Sequence, residues 1–319
     1  MELNSNKKVV GPVNREETTE CLKSINCKQG LVRTVRFNVD GSYCLTGGAD
    51  RNIKLWNPYR KLALKTYKGH GQDVLGVSSS CDNSQIVSCG KDKNVILWDV
   101  STGKILRTYH GHASSVTCVQ FNEESSVAVS GSQDNTVMCW DVKSRRREPI
   151  QVLKDAKDTI TSLQVTDHEI LTGSVDCRVR RYDIRIGEVI SDFMGESVTS
   201  VRFTWDDQCM VVGCSDNTVR LIDKDTGELL GEYVGHKTGD YLIESSTDST
   251  DKHVISGSTE GDVWCWDLVS AAVTKRLTHA RGVTVSSLSA HPKKNVILSA
   301  AADVIKLWGD PTTMDSDSE

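Results

Sequence analysis

Short apolar runs alternate with polar turns along the chain. Between residues 32 and 57, the runs VRTVRFN, YCLTGG and NIKLWN are joined by the segments NVDG and GADRN. Runs of this length, rich in β-branched and aromatic side chains and bounded by Gly, Asn and Asp, predict β-strands and tight turns. Four such strands with their turns take up about forty residues, so the pattern leaves no room for a helix.

A pair of residues that ends an apolar run recurs seven times. A fixed period of this length indicates repeated units of one supersecondary structure. Many strands are apolar on both faces, as in VILW at residues 95–98, so each small sheet needs a cover on both sides. Neighbouring units supply both covers if they stack around a ring. The pairs are Trp56-Asn57, Trp98-Asp99, Trp140-Asp141, Tyr182-Asp183, Ile222-Asp223, Trp266-Asp267 and Trp308-Gly309, at steps of 42, 42, 42, 40, 44 and 42 residues.

The spacing and the Trp-Asp pairs resemble the WD-repeat family from about residue 20 to residue 309. The resemblance implies an all-β fold, a seven-bladed β-propeller over residues 19–309. The seventh unit ends at Trp308, and the following GDPTTMDSDSE is too polar to return as a fourth strand. We therefore expect TECLKSINC, residues 19–27, to close the ring as an N-terminal strand. Residues 1–18 are then a flexible segment, and residues 310–319 an acidic disordered tail.

The resemblance also implies a hydrogen-bonded set in each well-formed blade, made by a His, a Ser or Thr, an Asp in the next turn and the Trp. Such a buried network stabilises a blade when all its groups are satisfied. Blades one, four and five lack the His, and the fifth has Val212 where the hydroxyl belongs, so we expect packing to hold that blade. Glu260 replaces the usual Asp in the sixth blade, and the turn of the seventh is one residue shorter. The matching residues are His70, Ser88, Asp92 and Trp98; His112, Ser130, Asp134 and Trp140; His236, Ser256, Glu260 and Trp266; and His279, Ser299, Asp303 and Trp308.

The amino-acid composition gives no sign of a nucleic-acid-binding, membrane or secreted protein. The 319 residues carry 43 Asp plus Glu against 38 Lys plus Arg, a formal net charge of -5, which gives no reason to expect direct nucleic-acid binding. No apolar run is long enough for a bilayer, so we expect no membrane contact. The eleven cysteines are scattered singly, as reduced thiols are. MELNSNKKVV has no secretory h-region, and we expect a cytoplasmic and nuclear protein.

The candidate catalytic and metal-binding features have structural explanations. His110 and His112 suggest a metal pair, but His112 belongs to the hydrogen-bonded set and His110 to a turn. Ser, His and Asp recur in several blades, whereas a hydrolase site needs one copy, and no Gly-x-Ser-x-Gly turn is present. Gly103-Lys104 lacks the other residues of a phosphate loop. We therefore predict a non-catalytic protein without a metal or cofactor.

Two single residues depart from the repeat, and a set of loops has the position expected of a docking surface. Arg181 stands where other blades are apolar, so it needs a carboxylate or an exit to water; a partner contact is the alternative. Trp205 lies in a tight turn, which favours either an interface or local packing. Partners are expected to dock on the central face through the loops before the first strands, near Asp73, Ser115 and Asp240.

A basic cluster is the third departure. Arg145, Arg146 and Arg147 follow Trp140-Asp141, and Arg185 lies in the equivalent turn one blade later. Successive copies of one turn emerge on the same face of a propeller, so these side chains should share a rim. Such a rim suits an acidic or phosphorylated partner segment; a merely solvated turn is the alternative.

Longer strings resemble one branch of the WD-repeat family. They are VRTVRFNVDGSYCLTGGAD, VQFNEESSVAVSGSQDN, VTDHEILTGSVDCRVRRYDIR and LIDKDTGELLGEYVGHK. The resemblance implies a scaffold whose partners are components of the extracellular-signal-regulated kinase cascade and spliceosomal proteins of pre-mRNA splicing. Tethering several partners to one rigid body raises their effective concentration without any chemistry.

A second function stays open. The stretch from Leu171 to Arg185, ending in YDIR, resembles the box by which some WD-repeat proteins attach to the adaptor of cullin-type ubiquitin ligases. That resemblance would give Arg185 the adaptor contact and make the protein a substrate receptor.

Overall fold

The computed structural model describes residues 19–311 and contains seven four-stranded antiparallel sheets. No α-helix lies in that range, and hence none that could cross a membrane. We call each sheet a blade and its strands A to D from the centre outward. The strands are β1 (Glu20–Asn26), β2 (Val32–Phe37), β3 (Cys44–Gly48), β4 (Asn52–Asn57), β5 (Leu62–Lys68), β6 (Val74–Ser79), β7 (Gln85–Gly90), β8 (Asn94–Asp99), β9 (Ile105–His110), β10 (Val116–Phe121), β11 (Val127–Ser132), β12 (Val137–Asp141), β13 (Gln151–Leu153), β14 (Ile160–Val165), β15 (Glu169–Ser174), β16 (Arg178–Asp183), β17 (Glu188–Phe193), β18 (Val198–Phe203), β19 (Cys209–Cys214), β20 (Thr218–Asp223), β21 (Leu229–Val234), β22 (Ser245–Thr247), β23 (His253–Ser256), β24 (Asp262–Asp267), β25 (Val273–Thr278), β26 (Val285–Ala290), β27 (Ile297–Ala301) and β28 (Val304–Gly309).

The blades are arranged in a closed ring. The A strands β2, β6, β10, β14, β18, β22 and β26 contact one another in that order, and β26 contacts β2. Apolar side chains on both faces of the strands fill the spaces between blades, and the rings of Trp98, Trp140 and Trp266 are fully buried. The predicted seven-bladed β-propeller is therefore confirmed.

The N-terminal strand closes this ring. β1 pairs antiparallel with β28, from Glu20 opposite Gly309 to Asn26 opposite Val304, and forms the outermost strand of the seventh blade. Ile25 is 5% exposed and packs in the cluster between the seventh and first blades. The predicted closure is confirmed. The expected flexible segment 1–18 and residues 312–319 of the expected tail lie outside the described residues.

The Asp of each Trp-Asp pair stabilises the turn between strands C and D. Asp99 Oδ1 accepts hydrogen bonds from Thr102 N at 2.6 Å and Thr102 Oγ1 at 2.7 Å. Asp223, which follows Ile222 in place of a Trp, makes the same two contacts with Thr226, both at 2.8 Å. Donation by the Thr102 amide and by neighbouring hydroxyls lowers the pKa of Asp99 to about 2. The pair thus joins a buried ring to a carboxylate that fixes the next turn.

Side chains on the A strands connect neighbouring blades around the centre. In three blades, the penultimate residue of the A strand accepts a hydrogen bond from a backbone N–H of the next A strand. These bonds run from Val165 N to Gln120 Oε1 at 3.2 Å, from Phe203 N to Gln164 Oε1 at 2.7 Å, and from Phe37 N to Ser289 Oγ at 3.0 Å.

The ring has two distinct faces. Because the strands of a blade are antiparallel, the A–B and C–D turns lie at one end, and the B–C turns and D–A connections at the other. Lys224 of a C–D turn lies 2.7 Å from Asp207 of an A–B turn. Gln29, before β2, lies 3.1 Å from Asp50 of a B–C turn. We name the two ends the AB/CD face and the BC/DA face.

The cysteines form no disulfide. All eleven are unpaired, and six of them are buried. Burial raises the pKa of Cys44 and Cys89 well above the usual value, so these thiols stay protonated and unreactive.

Candidate functional site

The hydrogen-bonded set is complete in the second and third blades. In the third, Trp140 Nε1 donates to Ser130 Oγ at 2.8 Å. Ser130 Oγ lies 2.8 Å from His112 Nε2, and His112 Nδ1 lies 3.0 Å from Asp134 Oδ2. The corresponding distances in the second blade, among Trp98, Ser88, His70 and Asp92, are 2.8, 2.7 and 2.9 Å.

The chemistry of the groups fixes the direction of these bonds. Burial lowers the pKa of His112 and outweighs the opposite effect of Asp134, so the imidazole is neutral. An ionised carboxylate only accepts, so His112 carries its proton on Nδ1. Ser130 then accepts from Trp140 and donates to His112 Nε2, and every donor in the set is used. Repetition of this set on the BC/DA side indicates architecture rather than catalysis.

The set is incomplete in the seventh blade, contrary to expectation. His279 Nδ1 and Trp308 Nε1 lie 2.7 and 2.8 Å from Ser299 Oγ. Asp303, however, accepts from the backbone N–H of Gln29 in the D–A connection that leads to blade one. The shortened turn directs Asp303 toward the ring closure, and His279 Nε2 has no hydrogen-bond partner among residues 19–311.

In the sixth blade the predicted set is wrong. His236 is 2% exposed, but neither ring nitrogen has a hydrogen-bond partner in the described part of the chain. Ser256 Oγ instead bonds Ser245 Oγ of the adjacent strand at 3.0 Å, and Trp266 Nε1 donates to Val234 O at 3.0 Å. The longer side chain of Glu260 reaches outward to Lys237 and Arg276, at 2.6 and 3.2 Å.

Blade one contains a hydrogen-bonded set of the same kind, which was not expected because the blade has no His. Gln29 Oε1 accepts from Thr46 Oγ1 at 2.5 Å, and Gln29 Nε2 donates to Asp50 Oδ1 at 3.1 Å. Trp56 Nε1 donates to Thr46 Oγ1 at 2.9 Å. A carboxamide both donates and accepts, as a neutral imidazole does, so Gln29 replaces the His. The spacing of 17 residues from Gln29 to Thr46, against 18 from His70 to Ser88, was the available signal.

Arginines replace the histidine in blades four and five. Arg180 of strand C lies 2.6 Å from Asp176 of the B–C turn, and Arg220 lies 2.5 Å from Asp216 in the next blade. Arg220 also donates to Met194 O at 2.6 Å. The fifth blade, expected to depend on packing around Val212, therefore has an ion pair as well.

Two buried histidines that form no bond to a carboxylate, His236 and His279, make stability depend on pH. Burial lowers the pKa of His236 to about 4; burial and then the charge of Lys306 lower that of His279 to about 4. The unfolded chain binds these protons near pH 6.5, whereas the folded chain does not until about pH 4. The free energy of unfolding is therefore not reduced by these histidines above pH 6.5, and it falls as the pH decreases from 6.5 toward 4.

We expect each histidine to contribute about 3 kcal/mol to this loss. Urea unfolding at pH 7 and pH 4 of the wild type and of His236→Gln measures it, and the variant should lose about 3 kcal/mol less between the two pH values. His110→Gln, at an exposed position, is the matched control. Equal pH dependence of wild type and His236→Gln would contradict the prediction.

Arg181 lies inside a charge network between blades four and five. It is 7% exposed, with Nε 3.8 Å from Glu169 Oε1 and Nη1 3.9 Å from Asp225 Oδ1. Lys224 Nζ lies 2.6 Å from Glu169 and 2.7 Å from Asp207. The charge at this otherwise apolar position is thus compensated by carboxylates. Arg181 also lines a cleft of 290 Å³ on the AB/CD face.

Three side chains at this cleft have the donor types of metal ligands. His168, Glu169 and Asp183 present donor atoms within 4.8 Å of one another. Lys224 lies 2.6 Å from Glu169 Oε2, and Arg185 Nη2 lies 2.8 Å from Asp183 Oδ2. A metal ion would have to displace both cations, so the charge balance of the group disfavours metal binding.

The basic cluster lies on the AB/CD face. Arg145, Arg146 and Arg147 are exposed in the C–D turn of blade three, and none of them forms an ion pair with a residue between 19 and 311. Arg185, in the C–D turn of blade four, is 63% exposed but paired with Asp183. Three arginines therefore present uncompensated charge, and the fourth is already partnered.

The other candidate partner residues divide between the two faces. Trp205 lies in an A–B turn on the AB/CD face and is 57% exposed. Asp73, Ser115 and Asp240 lie on the BC/DA face. Asp73 is held by Arg33 at 3.1 Å and Lys91 at 2.9 Å, Ser115 is partly buried and Asp240 is exposed. The structure does not join these residues and the basic cluster into one site.

Comparison with known proteins finds WD repeats in part of the chain and relatives along most of it. The WD domain, G-beta repeat matches residues 19–57, 62–99 and 103–141, and the Anaphase-promoting complex subunit 4 WD40 domain matches residues 170–244. WD repeat domain-containing protein 83 of Rattus norvegicus is 58% identical over 291 residues, covering 91% of this chain and 92% of the relative. The Homo sapiens protein of that name is 56% identical over 287 residues, covering 90% and 91%. The Dictyostelium discoideum homolog is 33% identical over 317 residues, covering 90% and 97%. The chain therefore belongs to the WD-repeat family, and its relatives there include proteins named WD repeat domain-containing protein 83.

Proposed function

We propose that this protein is a non-catalytic scaffold that binds several proteins on one rigid ring. Its membership of the WD-repeat family supports a scaffold or adaptor role. The observation that carries the proposal is the uncompensated charge of Arg145, Arg146 and Arg147, which lie on the same face as the exposed Trp205. Arginine and tryptophan are the side chains that most often dominate binding energy at protein interfaces.

The proposed partners are components of the extracellular-signal-regulated kinase cascade and spliceosomal proteins, in the cytoplasm and the nucleus. The sequence strings that resemble one branch of the family support this assignment. The arginine cluster favours an acidic or phosphorylated segment of the partner, because a guanidinium binds carboxylate and phosphate groups through two hydrogen bonds. The two faces of the ring offer separate surfaces for different partners.

Reversal of the three charges is expected to release the partners that bind this face. In the triple variant Arg145→Glu, Arg146→Glu and Arg147→Glu, recovery of kinase-cascade or spliceosomal components should fall at least about fivefold, the equivalent of about 1 kcal/mol. The measurement is quantitative mass spectrometry of proteins that copurify with the tagged chain from separate cytoplasmic and nuclear extracts.

The matched control reverses three other positive charges on the AB/CD face. Arg60, Lys61 and Lys104 are exposed in the C–D turns of blades one and two, and their replacement by Glu should leave partner recovery unchanged. If both triple variants retain all partners, the basic cluster is not a binding site. If neither extract yields kinase-cascade or spliceosomal components with the wild type, the partner assignment is wrong.

A substrate receptor of a cullin-type ubiquitin ligase is the second candidate. The observation that favours it is the 63% exposure of Arg185 at the end of the YDIR segment. Copurification of a cullin adaptor with the wild type, and its loss on Arg185→Glu, would support this function. The arginine triple variant should retain the adaptor in that case.

A further inference from the structure

A cluster of charged side chains lies at the centre of the ring. Arg36 and Arg202 occupy the same register position, the penultimate residue of the A strand, in blades one and five. At this position, Gln120, Gln164 and Ser289 accept a hydrogen bond from the next blade. A guanidinium has no acceptor atom, so neither arginine can accept this hydrogen bond from the backbone of the next blade. The N–H groups of each guanidinium donate instead to an anion, a carbonyl oxygen or water.

Glu244 supplies the anion for Arg36. Arg36 Nη1 donates to Glu244 Oε2 at 2.8 Å, and Arg36 Nη2 donates to Glu244 Oε1 at 2.5 Å. Glu244 also accepts hydrogen bonds from Ser287 Oγ at 2.8 Å and Leu288 N at 2.9 Å. Three of these four bonds fall on Oε2, and Oε1 accepts only from Arg36. Arg36 acts against the effect of burial and holds the pKa of Glu244 below its usual value, so the carboxylate is ionised.

Arg202 has no such partner. Among residues 19–311 it forms no hydrogen bond and no ion pair, and it is partly exposed on the innermost strand of blade five. Burial, and then the like charge of Arg36, lower the pKa of Arg202 to about 10. The guanidinium is therefore charged at neutral pH although it is poorly compensated. Two guanidinium groups and one carboxylate give the cluster a net charge of +1.

We propose that the central channel binds one oxyanion, a carboxylate or a phosphate group, at the guanidinium of Arg202. Such an anion neutralises the excess charge and accepts the paired N–H donors of the fork. The neighbouring Arg36 adds attraction through its charge, while its own donors stay on Glu244. The site does not depend on the basic cluster of the AB/CD face, because Arg202 lies on the innermost strand of blade five.

Titration with inorganic phosphate tests the site on the full chain. Calorimetry and thermal unfolding are measured at constant ionic strength, which is maintained with chloride. Phosphate should bind with one-to-one stoichiometry and raise the melting temperature of the wild type. Arg202→Gln should weaken binding at least about tenfold, whereas Arg107→Gln, which removes a positive charge from an outermost strand, should bind as the wild type does.

Two further measurements distinguish a loss of phosphate binding from a loss of folding. Without phosphate, Arg202→Gln should melt at a higher temperature than the wild type, because a poorly compensated charge beside Arg36 has been removed. Arg202→Lys keeps the charge but loses the planar fork, so it should retain phosphate-dependent stabilisation with reduced affinity.

A second ligand distinguishes a free anion from an acidic side chain of a bound segment. A short Gly-Ser peptide with one phosphoserine is compared with inorganic phosphate. Tighter, Arg202-dependent binding of the peptide indicates an acidic side chain of a bound segment, and equal or weaker binding indicates a free anion. Absence of binding by either ligand, or equal binding by the wild type and Arg202→Gln, would overturn the proposal.

Discussion

Ile25→Asp is expected to lower the free energy of unfolding by about 5 kcal/mol, the largest effect of any single substitution considered for this ring. Ile25 is buried in β1 and packs between the seventh and first blades. The substitution removes the apolar contacts of Ile25 and places a carboxylate among apolar side chains. Because β1 is the outermost strand of the seventh blade, its loss also leaves the edge of β28 unpaired.

The measurement is urea unfolding monitored by tryptophan fluorescence and far-ultraviolet circular dichroism. Ser24→Asp is the matched control, because Ser24 is the exposed neighbour in the same strand and receives the same charge. The control should change stability by less than about 0.5 kcal/mol. Equal unfolding midpoints of the two variants would show that β1 does not hold the ring closed.

Ser130→Ala is expected to lower the free energy of unfolding by about 3 kcal/mol. The hydroxyl of Ser130 accepts from Trp140 Nε1 and meets His112 Nε2, both at 2.8 Å. Its removal leaves a buried N–H donor and a buried ring nitrogen without partners, and each such group costs about 1–3 kcal/mol. The same urea titration measures the loss.

The sixth blade provides the matched control for this prediction. Ser256 occupies the same position as Ser130, but Trp266 donates to Val234 O instead, and the hydroxyl bonds only Ser245 Oγ and the Gly257 carbonyl. Ser256→Ala should therefore cost about 1 kcal/mol. A loss as large as that of Ser130→Ala would mean that the hydroxyl acts through packing rather than through the bond to the tryptophan.

The repeat and its closure were predictable because both depend on local pattern. Strand length, turn residues and the recurring Trp position define each blade, and the polar segment after Trp308 leaves the last blade one strand short. The stretch TECLKSINC, which precedes the first unit, is then the candidate for the missing strand. These features need no knowledge of which side chains meet across the ring.

The polar contacts were less predictable because they depend on competition between partners. His236 has the residue type of the family set but precedes Ser256 by 20 residues, against 18 from His70 to Ser88. Ser245 on the adjacent strand takes the hydroxyl of Ser256. Gln29 does not match the residue type, yet its amide makes the same bonds as a histidine. The carboxylates near Arg181 include Asp225 of the next blade, which sequence spacing within one blade does not reveal.

The pairing of β1 with β28 also sets the order of events during biosynthesis. Among the strands of the ring, β1 is synthesised first and its partner β28 last, so about 280 residues are added before the two strands meet. At roughly 5–20 residues per second, this interval lasts about 15 to 60 s. Throughout it, the backbone of β1 has no partner strand and Ile25 lacks its neighbours from the seventh blade, while the earlier blades stack in sequence. The ring therefore cannot close before β28 has been synthesised, and aggregation competes with folding during that interval.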